Sequence, residues 1–369
     1  RIKMYINGVQ ETDFHAPGGS SGEIYPSQNF DTAANVSGNI QNVGNFRDGT
    51  SQHYDGYLAE VHFVDGYQYD SSTFGFTDPQ TGIWMPKRYE GTHGTNGFYL
   101  DFSDNSSASA LGIDKSTNGN DFTVSNLATT DSVIDTPTNN FCTFNPLNSG
   151  SISDSEGNLK ATKGANHETI HGTLSMPSGK WYWELYNDDS SGGDGGNLAG
   201  LGSNAGGILY SHVGSTATSW GYENNGNMWN NSSGSGAGTN ASLANGDILA
   251  IAYDADQGII RFYKNGSIQT SGFTGITADN YLPQVSLYNN GSSWIANFGQ
   301  DSSFVGNKTA QGKTDASGLG DFYYTVPTGY KALCSRNLPP NVPSIVNSQK
   351  HFKCLTYTGD DSDDRDITG

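Results

Sequence analysis

Basic side chains are scarce in this chain. Lysine and arginine together number 18 against 37 acidic residues, which leaves a formal net charge of −19 and an isoelectric point near 4.5. That balance excludes nucleic acid as a partner, because holding a polyphosphate requires clustered Lys and Arg. Cysteine is scarcer still. Cys142, Cys334 and Cys354 are too few, and odd in number, for a disulfide framework or a zinc cluster; one pair could bridge, and nothing requires it. No apolar run approaches the roughly 18 residues that span a bilayer as a helix, and no signal-peptide pattern is visible. Also missing is any ten-residue stretch of period 3.6 with helix caps, which excludes a helical fold.

Glycine is abundant instead. Its 49 copies come with many Asn, Ser, Thr and Asp, a composition of short strands joined by many turns. An aromatic fraction of 12% argues against disorder, since rings supply the burial that offsets chain entropy. At 369 residues the chain has room for two or three domains, each with its own core. The acidic surface suits solubility in salty surroundings and contact with hard cations. The chain opens at Arg1 inside a strand-like pattern and stops at "DRDITG" where another begins. The expectation is therefore an internal fragment of a longer polypeptide.

Strand signals run the length of the sequence. "KMYINGVQ" (3–10) places β-rich residues on both sides of Asn7-Gly8, a pair that accepts the positive φ angles of a tight hairpin turn. "GYLAEVHFVDG" (56–66) alternates Leu58, Glu60 and His62 against Ala59, Val61 and Phe63, which predicts a half-buried strand. "GKWYWEL" (179–185) puts Trp181 and Trp183 on one face. "GDILAIAYDADQGIIRFYKNGSIQ" (246–269) reads as a three-stranded meander turning at 254–258 and at Asn265-Gly266, and "YLPQVSLYNNGSSWIANFG" (281–299) supplies two more strands about an Asn-Gly turn. These patterns predict an all-β protein of antiparallel sandwiches.

One string suggests catalysis. "HETIH" (167–171) matches the zinc-protease signature, in which two imidazoles one helical turn apart bind the metal beside a glutamate base. Gly164 and Gly172 leave too few residues between them for a stable helix, and Thr169 and Ile170 are β-branched. On a strand rising about 3.3 Å per residue, His167 and His171 would stand roughly 13 Å apart, beyond two zinc bonds of about 2.0 Å. The expectation is a structural outer strand with His167, Thr169 and His171 on one face. Glu184 and Asp188 are the nearest approach to a glycosidase carboxylate pair, which in a retaining enzyme stands about 5–5.5 Å apart. Tyr186 sits where the second carboxylate belongs, so Glu184 is expected as a surface residue at a strand end. Ser153, Ser178 and Ser211 have no His and Asp arrangement to activate them.

Two sets of residues predict binding. Asp101, Asp104, Asp114 and Asp121 lie in the acidic loop "DFSDNSSASALGIDKSTNGNDF", whose oxygens suit calcium with its six to eight hard ligands; the alternative is a turn in which Asp and Asn cap their own backbone. Trp220 and Trp229 flank "GYENNGNM", where an aromatic ring is placed to stack on a sugar while Tyr222, Asn224 and Asn225 add hydrogen bonds. Tyr288 and Asn289 in "YNNGSS" offer a second polar loop. Trp181, Trp183 and Trp294 are expected in the core.

The segments 179–185, 246–266, 281–299 and "YTVPTGYKALC" (324–334) resemble a SPRY domain in order and spacing. Residues 1–88 are similar to the C-terminal part of a concanavalin A-like or laminin-G-like sandwich, in which a "YINGV" hairpin precedes a "DGYLAEV" strand. Together with "DTPTNNFCTFNPLN" (135–148) and the closing "HFKCLTYTGDDSDDRDITG", the chain resembles large virion proteins of marine bacteriophages, described as tail fibre or structural. The resemblance implies tandem β-sandwiches: the first at 1–88, connecting strands and the acidic loop at 89–140, a SPRY-like sandwich at 141–338, and a linker with the start of a further β domain at 339–369. It implies a non-catalytic, extracellular particle protein that recognises a host surface glycan or protein through SPRY edge loops, with no membrane insertion and with a homo-oligomeric state. Laminin-G-like relatives bring calcium as the one implied cofactor. The competing readings are a purely structural protein binding other virion proteins and, third, a polysaccharide depolymerase.

Overall fold

The computed structural model describes residues 3–12, 27, 30, 36, 38–45, 53–54, 56–77, 84–136, 139–148, 150–163, 167–190, 196–203, 211–235, 240–288 and 291–338. The expected linker and further domain at 339–369, with Cys354, lie outside these residues, as does Asn289. Among the described residues the fold is all-β: the one α-helix is the four-residue turn Ser71–Phe74, capped by the Asp70 side chain.

The N-terminal region pairs its strands in twos. β1 (Met4–Ile6) and β2 (Val9–Glu11) form the expected hairpin, with Asn7 and Gly8 at φ 49° and 80° in its turn. β3 (Val61–Phe63) is much shorter than its alternation predicts, because Glu60 takes φ 52° and its left-handed backbone leaves the ladder. β4 (Gly75–Thr77) pairs with β5 (Trp84–Pro86), and β3 pairs with β6 (Phe98–Leu100), so strand pairing crosses residue 88. The first buried hydrophobic side chain in the described sequence is Tyr89.

From residue 141 the chain builds two packed sheets. The larger contains β7 (Ser153–Ser155), β8 (Lys160–Thr162), β10 (Lys180–Asp189), β15 (Ile248–Asp254), β16 (Ile259–Lys264), β17 (Ser267–Phe273), β19 (Ser293–Asn297) and β20 (Lys331–Ala332). Its order is β17-β16-β15-β10-β19-β8-β7, with β20 parallel to Trp181–Tyr182 of β10. The second runs β14 (Ser233–Ser235), β13 (Met228–Asn230), β12 (Ser219–Glu223), β11 (Leu198–Ser203), β18 (Tyr281–Leu287), β9 (Glu168–His171). The predicted meander is β15-β16-β17, turning at Asn265-Gly266. The two strands either side of "NNGSS" do not pair with each other: β18 joins the six-stranded sheet and β19 the eight-stranded one, so the loop crosses one end of the sandwich.

Period two decides what is buried. Trp181, Trp183 and Leu185 of β10 enter the core between the sheets beside Ile251, Tyr253 and Trp294, facing Leu201, Trp220, Tyr222 and Val285. Each such ring removes about 150–250 Å² from water, roughly 4–6 kcal/mol of transfer free energy at about 25 cal/mol/Å². The alternate residues Tyr182, Glu184 and Tyr186 face the other way, and this face is covered too. A strap formed by residues 299–338 lays Phe322 against Tyr182, Ala250 and Ala252, and Phe304 against Tyr186, Ile248 and Ile295. Glu184 is therefore fully buried, not the surface residue its place near a strand end suggested. Its carboxylate accepts the Tyr323 and Tyr324 backbone N–H groups at 2.8 Å each, the Tyr182 hydroxyl at 3.0 Å and Asn297 Nδ2 at 3.3 Å.

Cys142 and Cys334 are free and buried. Burial pushes the Cys142 thiol up to about 11, which keeps it protonated and unreactive at neutral pH.

Candidate functional site

The strand ends at Thr162, Asp189, Ile248, Lys264 and Ser293 of the larger sheet, and at Glu168, Leu198, Glu223, Met228 and Leu287 of the smaller, lie at one end of the sandwich. On the outer side of the six-stranded sheet at this end, four rings form a row. His167 lies 4.3 Å from Tyr288 and 5.4 Å from His212, and His212 meets Trp229 edge-on at 5.2 Å, all between ring centroids. Tyr288 is 44% exposed, which leaves its ring available to a ligand.

Strand parity explains who belongs to the row. In β12 the side chains of Trp220 and Tyr222 point into the core, so Ser219, Gly221 and Glu223 point out. The hairpin register sets Trp229 opposite Gly221, on that outer face. Glu223 accepts Trp229 Nε1 at 2.7 Å, Asn227 Nδ2 at 3.2 Å and the Gly196 N–H at 3.0 Å, fixing the row's indole from behind. His212 arrives with the segment after residue 210, which lies over this sheet. Val213 N–H donates to Ser286 Oγ, Gly214 N–H to Ser219 Oγ, and Thr169 Oγ1 to the Ser211 carbonyl. The segment fits because Gly221 has no side chain: a Cβ there would stand 3.0 Å from Val213 Cγ1.

Beside the row is a polar cleft of about 430 Å³ lined by Ser190, Asn224, Ser242, Leu243, Asn245 and Lys264, among others. Asn197, 2% exposed, holds the two together. Its Oδ1 accepts the Tyr288 N–H at 3.2 Å and its carbonyl accepts the Asn224 N–H at 2.9 Å. Asn224 Oδ1 is buried without a hydrogen-bond partner. Lys264 Nζ is held by Asp247 at 2.9 Å and by the Ser242 carbonyl at 2.7 Å, so the cleft's charge is already balanced.

The sequence-predicted binding residues divide accordingly. Trp229 and Tyr288 belong to the row, and Asn224 to the cleft. Asn225 caps its own turn by accepting the Asn227 N–H. Trp220 and Tyr222 are core residues and cannot stack on a ligand: Trp220 is 8% exposed and packs edge-on to Tyr281, while Tyr222 is fully buried with its hydroxyl on the Ala241 carbonyl. Their polar flanks suggested a loop, but Trp220–Tyr222 lie within β12, where alternation turns them inward. His167, His212 and Glu223 were not singled out as binding residues. Glu223 was readable from parity with Tyr222, whereas His212 is positioned by tertiary packing alone.

The other constellations resolve into structure. "HETIH" is the edge strand β9 with the residue before it, as its glycine brackets predicted. Glu168 is bound by the buried Lys163 ammonium at 2.6 Å and by the Ser151 hydroxyl and backbone N–H. Burial pushes the Glu168 carboxyl up, but these partners outweigh it and hold it below the usual carboxylate range. His171 Nδ1 meets Gln284 Nε2 at 3.0 Å. Asp188 pairs with Lys160 at 2.8 Å and accepts Ser293 Oγ at 2.7 Å, so it shares no cleft with the buried Glu184.

The four Asp residues of the acidic loop accept hydrogen bonds within it. Asp101 and Asp104 each cap the residue two positions on, through Ser103 and Ser106. Asp114 accepts four bonds from Tyr99, Ser116 and Asn120, and Asp121 accepts the Asp114 N–H. All four carboxylates accept hydrogen bonds from the loop's own backbone or hydroxyls. Among the described residues no group of three or more His, Cys, Asp and Glu converges on a point that could hold a metal ion.

The fold is an antiparallel β-sandwich with a polar loop end and a partly exposed row of rings. Residues 180–301 match the SPRY domain family. That match ends before most of the strap and omits β7 to β9, although these complete both sheets and β9 follows directly on His167 of the row. Among solved structures, the chain is similar to the SPRY domain of human HERC1 at 22% identity, covering 42% of this chain and 96% of that one, with TM-score 0.36. It is similar to the TRIM65 PSpry domain at 15% identity, over 42% and 88% of the two chains, with TM-score 0.35. A human SPRY domain shows 19% identity over 40% and 94%, with TM-score 0.33. No curated protein matches the sequence.

Proposed function

We propose that this chain is a non-catalytic attachment protein of a phage particle, and that the SPRY-like end recognises a host surface glycan through Tyr288, its supporting row and the adjoining cleft. The observation that carries this reading is the pairing of a partly exposed ring with a hydroxyl- and amide-lined cleft through a single buried residue, Asn197. Polar clefts with one stacking ring suit sugars, which present both an apolar face and many hydroxyls. Large exposed apolar side chains are few on the described part of this sandwich: Leu147 and Ile268 are the others besides Tyr288. The particle context rests on the sequence resemblance to phage virion proteins. Many copies on one particle would raise a weak single-site affinity through avidity.

Tyr288→Ala is expected to weaken binding of the recombinant chain to host surface polysaccharide about tenfold, equivalent to roughly 1.4 kcal/mol. Ile268→Ala, on the exposed edge strand β17, is expected to leave it unchanged. Equal binding by wild type and Tyr288→Ala in glycan-array or calorimetric measurements would reject the reading.

A second reading has its own observation. In the β1–β2 hairpin Met4, Ile6 and Val9 share one face and are 50%, 58% and 72% exposed, an apolar surface suited to another virion protein. This favours a structural contact for the N-terminal region, compatible with recognition at the sandwich that begins at residue 141. Retention of a Met4→Ser/Ile6→Ser/Val9→Ser variant on assembled particles would argue against it.

A further inference from the structure

We propose that the recognition row is a proton-gated device: it stands assembled while His167 is neutral and comes apart when His167 is protonated, so that the site opens to ligand only above mildly acidic pH. The proposal rests on the row being the recognition site for its biological meaning, but its physical content can be tested without a ligand.

The geometry carries it. His167 is the central ring, lying between Tyr288 at 4.3 Å and His212 at 5.4 Å. Its Nδ1 is buried and, among the described residues, has no hydrogen-bond partner. A neutral imidazole tolerates this with Nδ1 as the unprotonated nitrogen, whereas an imidazolium carries N–H on both nitrogens and would bury a charged donor facing no acceptor. The groups facing it offer little help. His212, from the segment over the sheet, disfavours positive charge on His167, and its own Nδ1 lies 3.0 Å from the Val213 carbonyl. Tyr288, at the end of β18, presents a ring. Glu168, next in β9, is engaged by Lys163 and Ser151. Among the described residues the anion acting on it is Glu223 of β12, which is bound to Trp229 Nε1, Asn227 Nδ2 and the Gly196 N–H.

A proton on His167 therefore has two outcomes, and both dismantle the row. Either the imidazolium leaves its place against Tyr288 for solvent, or it draws Glu223 away from the Trp229 indole. In agreement with this, burial lowers the His167 pKa from its usual 6.5, His212 lowers it further, and Glu223 opposes only in part. A histidine whose folded pKa is depressed stabilises the assembled form at and above pH 6.5, and that contribution is lost as pH falls through the folded value.

The test follows the Trp229 indole N–H and the histidine Cε1–H resonances of the full chain from pH 8 to pH 5 by NMR, with Trp229→Phe used for assignment. The expected result is a reversible shift of the indole resonance with a midpoint below 6.5, coincident with the His167 titration and absent in His167→Gln. A resonance that stays constant over this range would overturn the proposal, as would a shift that persists in His167→Gln and vanishes in His212→Gln. Polysaccharide binding by the wild type is then compared at pH 7.5 and pH 5.5. An indole shift together with unchanged binding by Tyr288→Ala would leave the device standing and reject the recognition role of the row.

Discussion

Glu184→Ala is expected to cost about 3–5 kcal/mol, a large share of a domain's net stability, because it leaves two backbone amides, a tyrosine hydroxyl and an asparagine amide without their acceptor. The loss should be local in character. Tyr323 and Tyr324 dock the strap onto the eight-stranded sheet, so hydrogen exchange should accelerate across 299–338 before it does in β10 or β15. Urea unfolding followed by peptide-resolved exchange checks both statements. A change below about 1 kcal/mol, with the strap still protected, would show that the apolar contacts of Phe304 and Phe322 hold it unaided.

The same carboxyl gives the protein a pH signature. Burial pushes Glu184 up to about 7 from its usual 4.5, against the downward pull of its four hydrogen bonds. The folded state then binds the proton more tightly than the unfolded chain does. This group's stabilisation is complete below pH 4.5 and declines by roughly 3 kcal/mol as pH rises from 4.5 through 7. Thermal unfolding of wild type and Glu184→Gln across pH 4–8 should show that decline in the wild type and not in the variant, which has no proton to lose.

The second large effect belongs to Lys163. Its ammonium is completely buried against Glu168. Lys163→Met is expected to destabilise by about 3–5 kcal/mol, the usual result of leaving one member of a buried ion pair without its partner. Adding Glu168→Leu should restore most of that loss, since replacing both charges removes the desolvation cost along with the attraction. Glu168 has a depressed folded pKa, so its contribution is present above pH 4.5 and is lost as pH falls further. The acid-side loss of stability should therefore shrink in the double variant. A double-mutant cycle with a coupling energy near zero would contradict this account. Lys163 also exchanges backbone hydrogen bonds with Gly291 and Ser292, which Lys163→Met retains.

Much of the fold was legible because β-structure writes itself in period two. The alternation at Trp181 and Trp183, the turns at Asn7-Gly8 and Asn265-Gly266 and the strand reading of "HETIH" are local facts, and the structure kept each of them. The site was legible only in part. Trp229 and Trp220 look alike in sequence, both beside Asn- and Gly-rich text, yet hairpin register sends one outward and the other into the core. Glu184 misled in the same way: a lone carboxylate near a strand end reads as solvated unless the strap that covers it, some 140 residues later in the chain, is known. The acidic loop offered calcium ligands by composition, but its carboxylates satisfy their own backbone.

By itself the sequence determined the all-β class, the strand positions, the anionic surface and the absence of a helical zinc motif, because propensity, turn chemistry and charge act over a few residues. Only the tertiary structure decided which face of each strand meets water, that the two strands about "NNGSS" enter different sheets, and that His167, His212, Tyr288 and Trp229 stand together. Those outcomes depend on register and on which sheet packs against which, and both are set by the burial of side chains far apart in the chain.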